Sequence, residues 1–580
     1  MFRRRPPARR AVLYRCARRR FPHGAIRNVA TPTRAVVSAK VLRATWGSLA
    51  AAASLAAQRA PAGASPYQIA YVFESKVPAS HEATVRLRVS GALGDTTLIQ
   101  LPAWYPGRYA IYNFAANVQE THASCDGRAV RAPKRDKQTW VVRCKAPLRG
   151  SATLEFAQRV WWDDLTGSTS QIDSSHINLN PGSVFPYVVG HKPDSVSVTY
   201  VGPEGWTVVN GAVASPWPGA LTQRFPNYDV FIDHPTEISS RASVDTFSLE
   251  GTQYRVLVHA EGDTGVGRRR QLTADLKAIV QAEVAFWGVQ PMERYTFLVH
   301  YVPGNRGGGD GMEHLTSCQV IIPAALADTA GESGPQGYYG RHELFAHEFF
   351  HTWSMKRLRA RELGPWDYTR DNPTTTLWVG EGFTNYYGAR LVYRAALWSR
   401  PLYLARVAAN VAQLQATPGR LAMSAEDASL SAWFMDRVPL RQEAMLRNSA
   451  ISYYTKGEAL AWLIDLEVRA RSGGEKTLDD VMRLLWQRFW NGATTSYYLQ
   501  GHGYGDADVR QALNDVTQSD FTDFFVRYVA GTEELPYGWT LEKVGLRLVT
   551  DAGTSSSRIE TDPDASEESR RLGEAWLAGR

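Results

Sequence analysis

From Tyr67 onward, apolar and polar residues alternate in short runs. Tyr67–Phe73, Ala83–Val89 and Ser195–Val201 are β-branched or aromatic and partly alternating, with Gly, Pro, Asn and Asp between them; Thr139–Val142 and Ala152–Phe156 repeat the pattern. This predicts β structure from residue 66 to about 247, most simply a β-sandwich-like domain. After about residue 250 the period lengthens. Leu272, Leu276, Ile279, Val280, Val284 and Phe286 recur near 3.6, predicting a helix over 272–287. Arg294–Val302 reads as a strand, and the glycine-rich run 304–311 as a flexible connection. A helix then follows, with Leu344, Phe345, Phe349 and Phe350 as its apolar surface and no Pro or Gly between His342 and Arg361. Helices dominate from about 400 to 530. Thr477 with Asp480 makes a capping-box start for a helix to about Trp490. Ser519 is expected to start the next, whose Phe521, Phe524, Phe525 and Tyr528 form a core stripe. The last 40 residues lose periodicity, and the polar, acidic stretch 562–569 is expected to be disordered.

At 580 residues the chain exceeds one hydrophobic core, so several domains are expected. The pattern divides it into a leader (1–64), a β domain (66–247), an α/β domain (248–400), an α-helical domain (401–545) and a tail (546–580). The fold class is multidomain α+β.

Charge changes this picture only at the start. Residues 1–60 carry 13 Arg and one Lys, and the first acidic residue is Glu74; removing that +14 from the net +8 leaves −6 for the remainder. The positive charge belongs to the leader, so no nucleic-acid partner is expected. Arg43 precedes an Ala-rich run through Ala57, and Ala62-Gly63-Ala64 offers a small-x-small cleavage site. This resembles a secretory signal, giving a periplasmic or secreted protein; the rival reading is an Arg-rich organelle transit peptide. No later stretch reaches about 18 apolar residues, so no membrane span is expected. Of the four cysteines, Cys16 lies in the leader and Cys318 in an apolar strand-like run. Cys125 and Cys144 sit in adjacent β-like segments, either bridged in an oxidising compartment or two buried thiols.

Candidate chemistry centres on His347-Glu348-Phe349-Phe350-His351. Four positions are about one helical turn, so both imidazoles project from one face and can bind one zinc ion. Glu348 follows the first histidine and is placed to take a proton from the attacking water. A catalytic zinc needs a third protein ligand and an open fourth position. Glu381, in the run Leu377 to Tyr387 after a looped excursion, is the candidate: a carboxylate amid such aromatic surroundings is costly to bury unpaired.

HEFFHTW, KRLR and WVGEGFTNYY together resemble the glycyl-aminopeptidase family of zinc peptidases, in the gluzincin group. The resemblance implies a thermolysin-like catalytic domain with His347, His351 and Glu381 as metal ligands, Glu348 as general base and one Zn2+ per chain. It extends to Gly311-Met312-Glu313-His314, implying that this segment lies along the substrate backbone with Glu313 on the free α-ammonium. It also extends to Tyr453-Tyr454-Thr455-Lys456-Gly457, implying Tyr454 as donor to the oxyanion. The segments Leu101–Tyr109 and Asn227–Pro235 look like the family's β-domain signatures, and Gly531–Tyr537 like its helical end. Family members usually continue into a PDZ domain, for which the tail is too short. The expected activity is removal of the N-terminal residue, Gly or Ala by resemblance, from peptides with a free N-terminus. The alternatives are a thermolysin-like zinc endopeptidase and an inactive secreted peptide-binding protein. Oligomeric state is not legible.

Overall fold

A computed structural model describes residues 67–91, 93–212, 214–216, 220–260, 266–303, 309–323, 338–435, 448–490, 503–550 and 557–579. The leader, Cys16 and residues 304–308 of the glycine-rich run lie outside the described residues.

The β region is a sandwich because its strands alternate. In Glu82–Ser90, Ala83, Val85, Leu87 and Val89 turn inward while Arg86 and Arg88 face out. This strand belongs to a seven-stranded sheet in the order Ala220–Phe225, Val196–Val201, Gln68–Glu74, Glu82–Ser90, Thr153–Trp161, Val118–Cys125, Arg128–Val130. Gln68–Glu74 pairs parallel with Val196–Val201 and antiparallel with Glu82–Ser90, placing Tyr71 opposite both Val198 and Leu87. A three-stranded sheet (Tyr187–Val188, Thr96–Gln100, Thr139–Arg143) packs on it through Trp140 against Phe156, ring centroids 5.5 Å apart. Cys125 and Cys144 are bonded to each other, tying the two sheets together; Cys318 is a buried free thiol.

The α/β region is built on a five-stranded sheet in the order Ser243–Leu249, Thr252–Ala260, Arg294–Val302, Ser317–Pro323, Asp310–Glu313. The sheet thus begins a few residues before position 248. Its three inner strands run parallel and the two edges antiparallel. Inner strands covered on both faces are buried along their length, as all seven residues of Ser317–Pro323 are. The polar Gln319 among them is paired, its Nε2 donating to Asn178 Oδ1 (3.0 Å). The helix Tyr338–Phe350 lies on this sheet. Phe349 packs on Tyr295 and Phe297 of the sheet (4.8 and 5.6 Å), while Phe350 turns to Phe286 and Tyr387 on flanking helices (5.5 and 5.1 Å). The two phenylalanines inside the motif therefore fix the helix in two directions.

The helical region follows expectation at Thr477, whose capping box with Asp480 opens Leu478–Phe489. It departs at Ser519. There the helix starts only at Thr522 and passes into a π turn over Phe525–Val529. The Ser519 hydroxyl donates back to Thr517 O (3.3 Å), and Asp520 instead accepts from Thr522 N (2.8 Å). Phe521, Phe524, Phe525 and Tyr528 are buried as expected.

The expectation of disorder in the tail is corrected. Leu546–Thr550 and Ser557–Thr561 form an antiparallel hairpin, and a helix spans Glu567–Leu577 from a Ser566 cap. Leu572, Trp576 and Leu577 are its buried face, one helical stripe hidden in polar composition. Trp576 Nε1 donates to Tyr386 OH (3.3 Å), and the Arg390 guanidinium lies 5.6 Å from the Trp576 ring centroid. One apolar cluster runs through all of these regions, from Ile69 to Leu577.

A second five-stranded sheet of the β region, containing His176–Leu179 and Thr236–Ser239, meets the α/β sheet through a buried histidine cluster. Glu237 receives His176 Nδ1 on one oxygen (2.9 Å) and His300 Nε2 on the other (3.1 Å); His259 stacks on His176 at 4.1 Å and bonds Ser239 Oγ (2.9 Å). The two carboxylate oxygens diverge to separate imidazoles, which is the pattern of a hydrogen-bonded staple.

Trp576→Ala is expected to cost about 3–5 kcal/mol, a large buried ring removed, in a chemical-denaturation measurement. Burial pulls the His259 imidazole down to about 4, Glu237 only partly opposing it. The unfolded chain takes up this proton near 6.5, so between these values it binds more protons and stability rises with pH. The denaturation midpoint should therefore be lower at pH 5 than at pH 7, and the loss smaller in His259→Gln.

Candidate active site

The helix Tyr338–Phe350 carries His347 and Glu348 in its last turn. His351 lies just beyond it but keeps helical register, its N–H reaching His347 O at 3.3 Å. Both imidazoles consequently face one way, with Nε2 atoms 3.0 Å apart. His351 Nδ1 faces Ser354 O (3.2 Å), which fixes the ring's orientation and turns Nε2 toward His347.

Glu381 arrives from the opposite side, at the junction of Leu377–Gly380 and Gly382–Arg394. Trp378 anchors that junction, its backbone N on Ser429 Oγ (3.0 Å) and its indole on Asp506 (2.7 Å). Glu381 Oε2 lies 3.3 Å from Nε2 of both His347 and His351. This oxygen is buried without a conventional hydrogen bond. Ligands about 2.05 Å from a tetrahedral zinc are about 3.3 Å from one another, so the three atoms have the spacing of one metal's ligand set. Burial raises the Glu381 carboxyl, but the two imidazoles outweigh that and hold it well below the usual range; reciprocally Glu381 lifts His351 to about 9 against the effect of burial.

Glu348 is buried and turned toward the edge strand Asp310–Glu313. Gly311 is what admits it: a Cβ there would lie 1.9 Å from Glu348 Oε1. Burial drives the Glu348 carboxyl well above the usual range; His351 opposes this, while Glu313 and Glu381 add to it. A group so placed accepts and holds a proton readily. Ligand atoms of Glu313, Glu348 and His351 all lie within 4.8 Å of one another.

The edge strand is held in place by the β region. Asp310 binds Arg108 (2.7 Å) and Gly167 N (2.9 Å), and Arg108 also reaches Gly311 O (3.2 Å). Met312 is fully buried beside Glu313, which sits opposite Cys318. Lys356 Nζ lies 3.7 Å from Glu313 and 3.1 Å from Asp233, and Asp233 in turn holds His314 (2.9 Å) and Leu315 N (3.0 Å).

Tyr454 opens the helix Tyr453–Arg471 under a Ser452 cap and stays partly exposed, its ring centroid 6.2 Å from that of His347. Gly457 brings it there. At this crossing the backbones touch: a Cβ on Gly382 would lie 2.4 Å from Gly457 Cα.

All eight predicted residues thus gather around one point. Sequence reasoning missed Tyr109, whose hydroxyl donates to Glu381 Oε1, along with Arg108, Asp233 and Lys356. Three of these stood inside the quoted β-domain segments, and Lys356 inside KRLR. The overlooked signal was charge within runs otherwise aromatic and apolar.

An α/β core with a two-histidine helix and a distant glutamate, flanked by a β region and a helical region, defines a zinc peptidase of the gluzincin class. The M61 glycyl aminopeptidase model matches residues 341–460, and the Peptidase M61 N-terminal domain model residues 70–240. The chain belongs to the M61 glycyl aminopeptidase family and is a metallo-aminopeptidase. No curated protein matches it. Among solved structures, an aminopeptidase N family protein from Idiomarina loihiensis is similar at 25% identity and a TM-score of 0.74, over 86% of this chain and 82% of that one. An M1 zinc metallopeptidase from Deinococcus radiodurans, bound to a Tyr-Ser-Ala substrate, gives 14% and 0.46 over 81% of this chain and 94% of that one. Yeast LTA4 hydrolase with bestatin gives 14% and 0.45, over 81% and 69%.

Gly311→Ala is expected to keep metal content while displacing Glu348, lowering kcat/KM by about 10²–10⁴, the range for a displaced acid–base group. Metal analysis alongside steady-state kinetics checks both halves.

Proposed function

We propose that this chain removes the N-terminal residue from peptides, Gly or Ala by its family resemblance, with one zinc held by His347, His351 and Glu381. The observation that carries the reading is the position of Glu313, within 4.8 Å of His351. An α-nitrogen is only about 2.5 Å from its own carbonyl carbon, from bond lengths near 1.5 Å. A peptide whose ammonium pairs with Glu313 therefore presents its first carbonyl, and no later one, to the metal ligands. The same carboxylate leaves a blocked or continuing chain without a partner for it, which disfavours the endopeptidase reading.

A bound zinc ion supplies Lewis-acid activation of water and of the scissile carbonyl. Glu348 takes the proton of the attacking water and delivers it to the leaving amine. Tyr454 donates a hydrogen bond to the oxygen that gains charge. Gly311 and Met312 form the strand along which the substrate backbone lies. Lys356, shared between Glu313 and Asp233, holds Glu313 facing the ammonium. We also propose export to the periplasm or beyond; the bond between Cys125 and Cys144 supports an oxidising destination. Among the described residues no helix is long and apolar enough to cross a membrane.

A panel of free and N-acetylated aminoacyl amides tests the reading. Free substrates should be cleaved and acetylated ones refused. Glu313→Ala should lower kcat/KM for free substrates about 10- to 100-fold, the equivalent of one charged hydrogen bond, and Glu348→Gln should lower it about 10²–10⁴-fold. Equal cleavage of acetylated substrates would assign the chain to the endopeptidases instead.

A further inference from the structure

Glu381 has two oxygens, and they are treated differently. Oε2 faces the two imidazoles at 3.3 Å with no conventional hydrogen bond, while Oε1 receives the Tyr109 hydroxyl. Tyr109 is not a neighbour in sequence. It comes from the β region, 272 positions before Glu381, and is buried to 5% exposure.

Its loop is pinned on every side. Tyr105 OH donates to Ile232 O (2.9 Å), Ala103 N to Tyr368 O (2.8 Å), and Arg108 to Ser168 (2.9 Å) and Asp310 (2.7 Å). The Tyr109 ring stands edge-on to Tyr453 (6.0 Å), whose ring lies 4.7 Å from that of Tyr454. Gly107, with φ +85°, passes so close to Glu313 that a Cβ would meet both its carboxylate oxygens at 2.8 Å. One rigid segment of the β region thus abuts a metal ligand, the ammonium carboxylate and the tyrosine pair.

We infer that Tyr109 is a positioning residue of the metal site: by occupying Oε1 it makes Glu381 a one-oxygen ligand and keeps the fourth coordination position open. The inference rests on the zinc reading of His347, His351 and Glu381. A carboxylate with one oxygen tied cannot swing to offer both, and a second carboxylate oxygen would take the place that catalysis leaves for water. Partners that orient metal ligands typically change metal affinity or activity about 10- to 100-fold when removed. It follows that the β region is part of the metal centre and not only a scaffold beside it.

The test uses the full chain stripped of metal, then titrated with zinc against a chelating competitor, for wild type, Tyr109→Phe and Tyr105→Phe. Tyr105→Phe removes a buried phenol bond from the same loop without touching a metal ligand. The expected result is a zinc Kd raised about 10- to 100-fold in Tyr109→Phe and unchanged in Tyr105→Phe. The Co2+-loaded Tyr109→Phe protein, at saturating metal, should show a weaker visible absorption as coordination number rises. Zinc affinity within threefold of wild type together with an unaltered cobalt spectrum overturns the inference. An equal rise in Tyr105→Phe also overturns it, by assigning the effect to loop order. Failure of the wild type itself to bind zinc is a separate outcome, and removes the metal reading along with this one.

Discussion

Three glutamates, Glu313, Glu348 and Glu381, are buried in one small volume, and like charges in a dry site repel. Much of the surrounding structure answers that repulsion differently for each. Glu381 is neutralised by two imidazoles and tied by a phenol. Glu313 is balanced by Lys356. Glu348 receives no full counter-charge of its own, and its carboxyl is the one driven toward the protonated form. The division of labour among three chemically identical side chains comes from their neighbours.

Those neighbours are drawn from distant parts of the chain. Arg108, Tyr109 and Asp233 belong to the β region, Lys356 to the loop after the motif helix. Buried ions impose this, since each removed from water must be paired within a few ångströms. Asp233 alone joins His314, Leu315 and Lys356, so the strand that carries Glu313 and the loop that carries Lys356 are set by one carboxylate. The Glu237 cluster makes a comparable join on the other side of the sheet, with histidines from both regions.

The motif helix, the capping box at Thr477 and the alternating strands were legible because each is specified locally, by spacing that repeats over one or two turns. That His347, His351 and Glu381 come together was legible because metal chemistry restricts the residue types worth grouping. What stayed hidden depends on tertiary placement. KRLR, directly after an apolar helix, reads like a solvated basic turn, yet Lys356, Arg357 and Arg359 are all nearly inaccessible. Tyr109 sat in a segment rich in aromatic residues and proline, where one more tyrosine is unremarked. The tail misled for the opposite reason: its polar composition was counted, while the three apolar residues that share one helical face were not. Ser519 offered a cap by type, but the preceding helix had already claimed its hydroxyl.

The touching backbones at Gly382 and Gly457 have a mechanical meaning. Glu381 and Tyr454 each lie within three residues of that crossing, and both face His347. The approach of the two backbones that carry them is set by main chain against main chain, so only the side-chain torsions are left to be ordered. The entropy of arranging these two groups is lost once, when the chain folds, and need not be lost again at each encounter with a peptide.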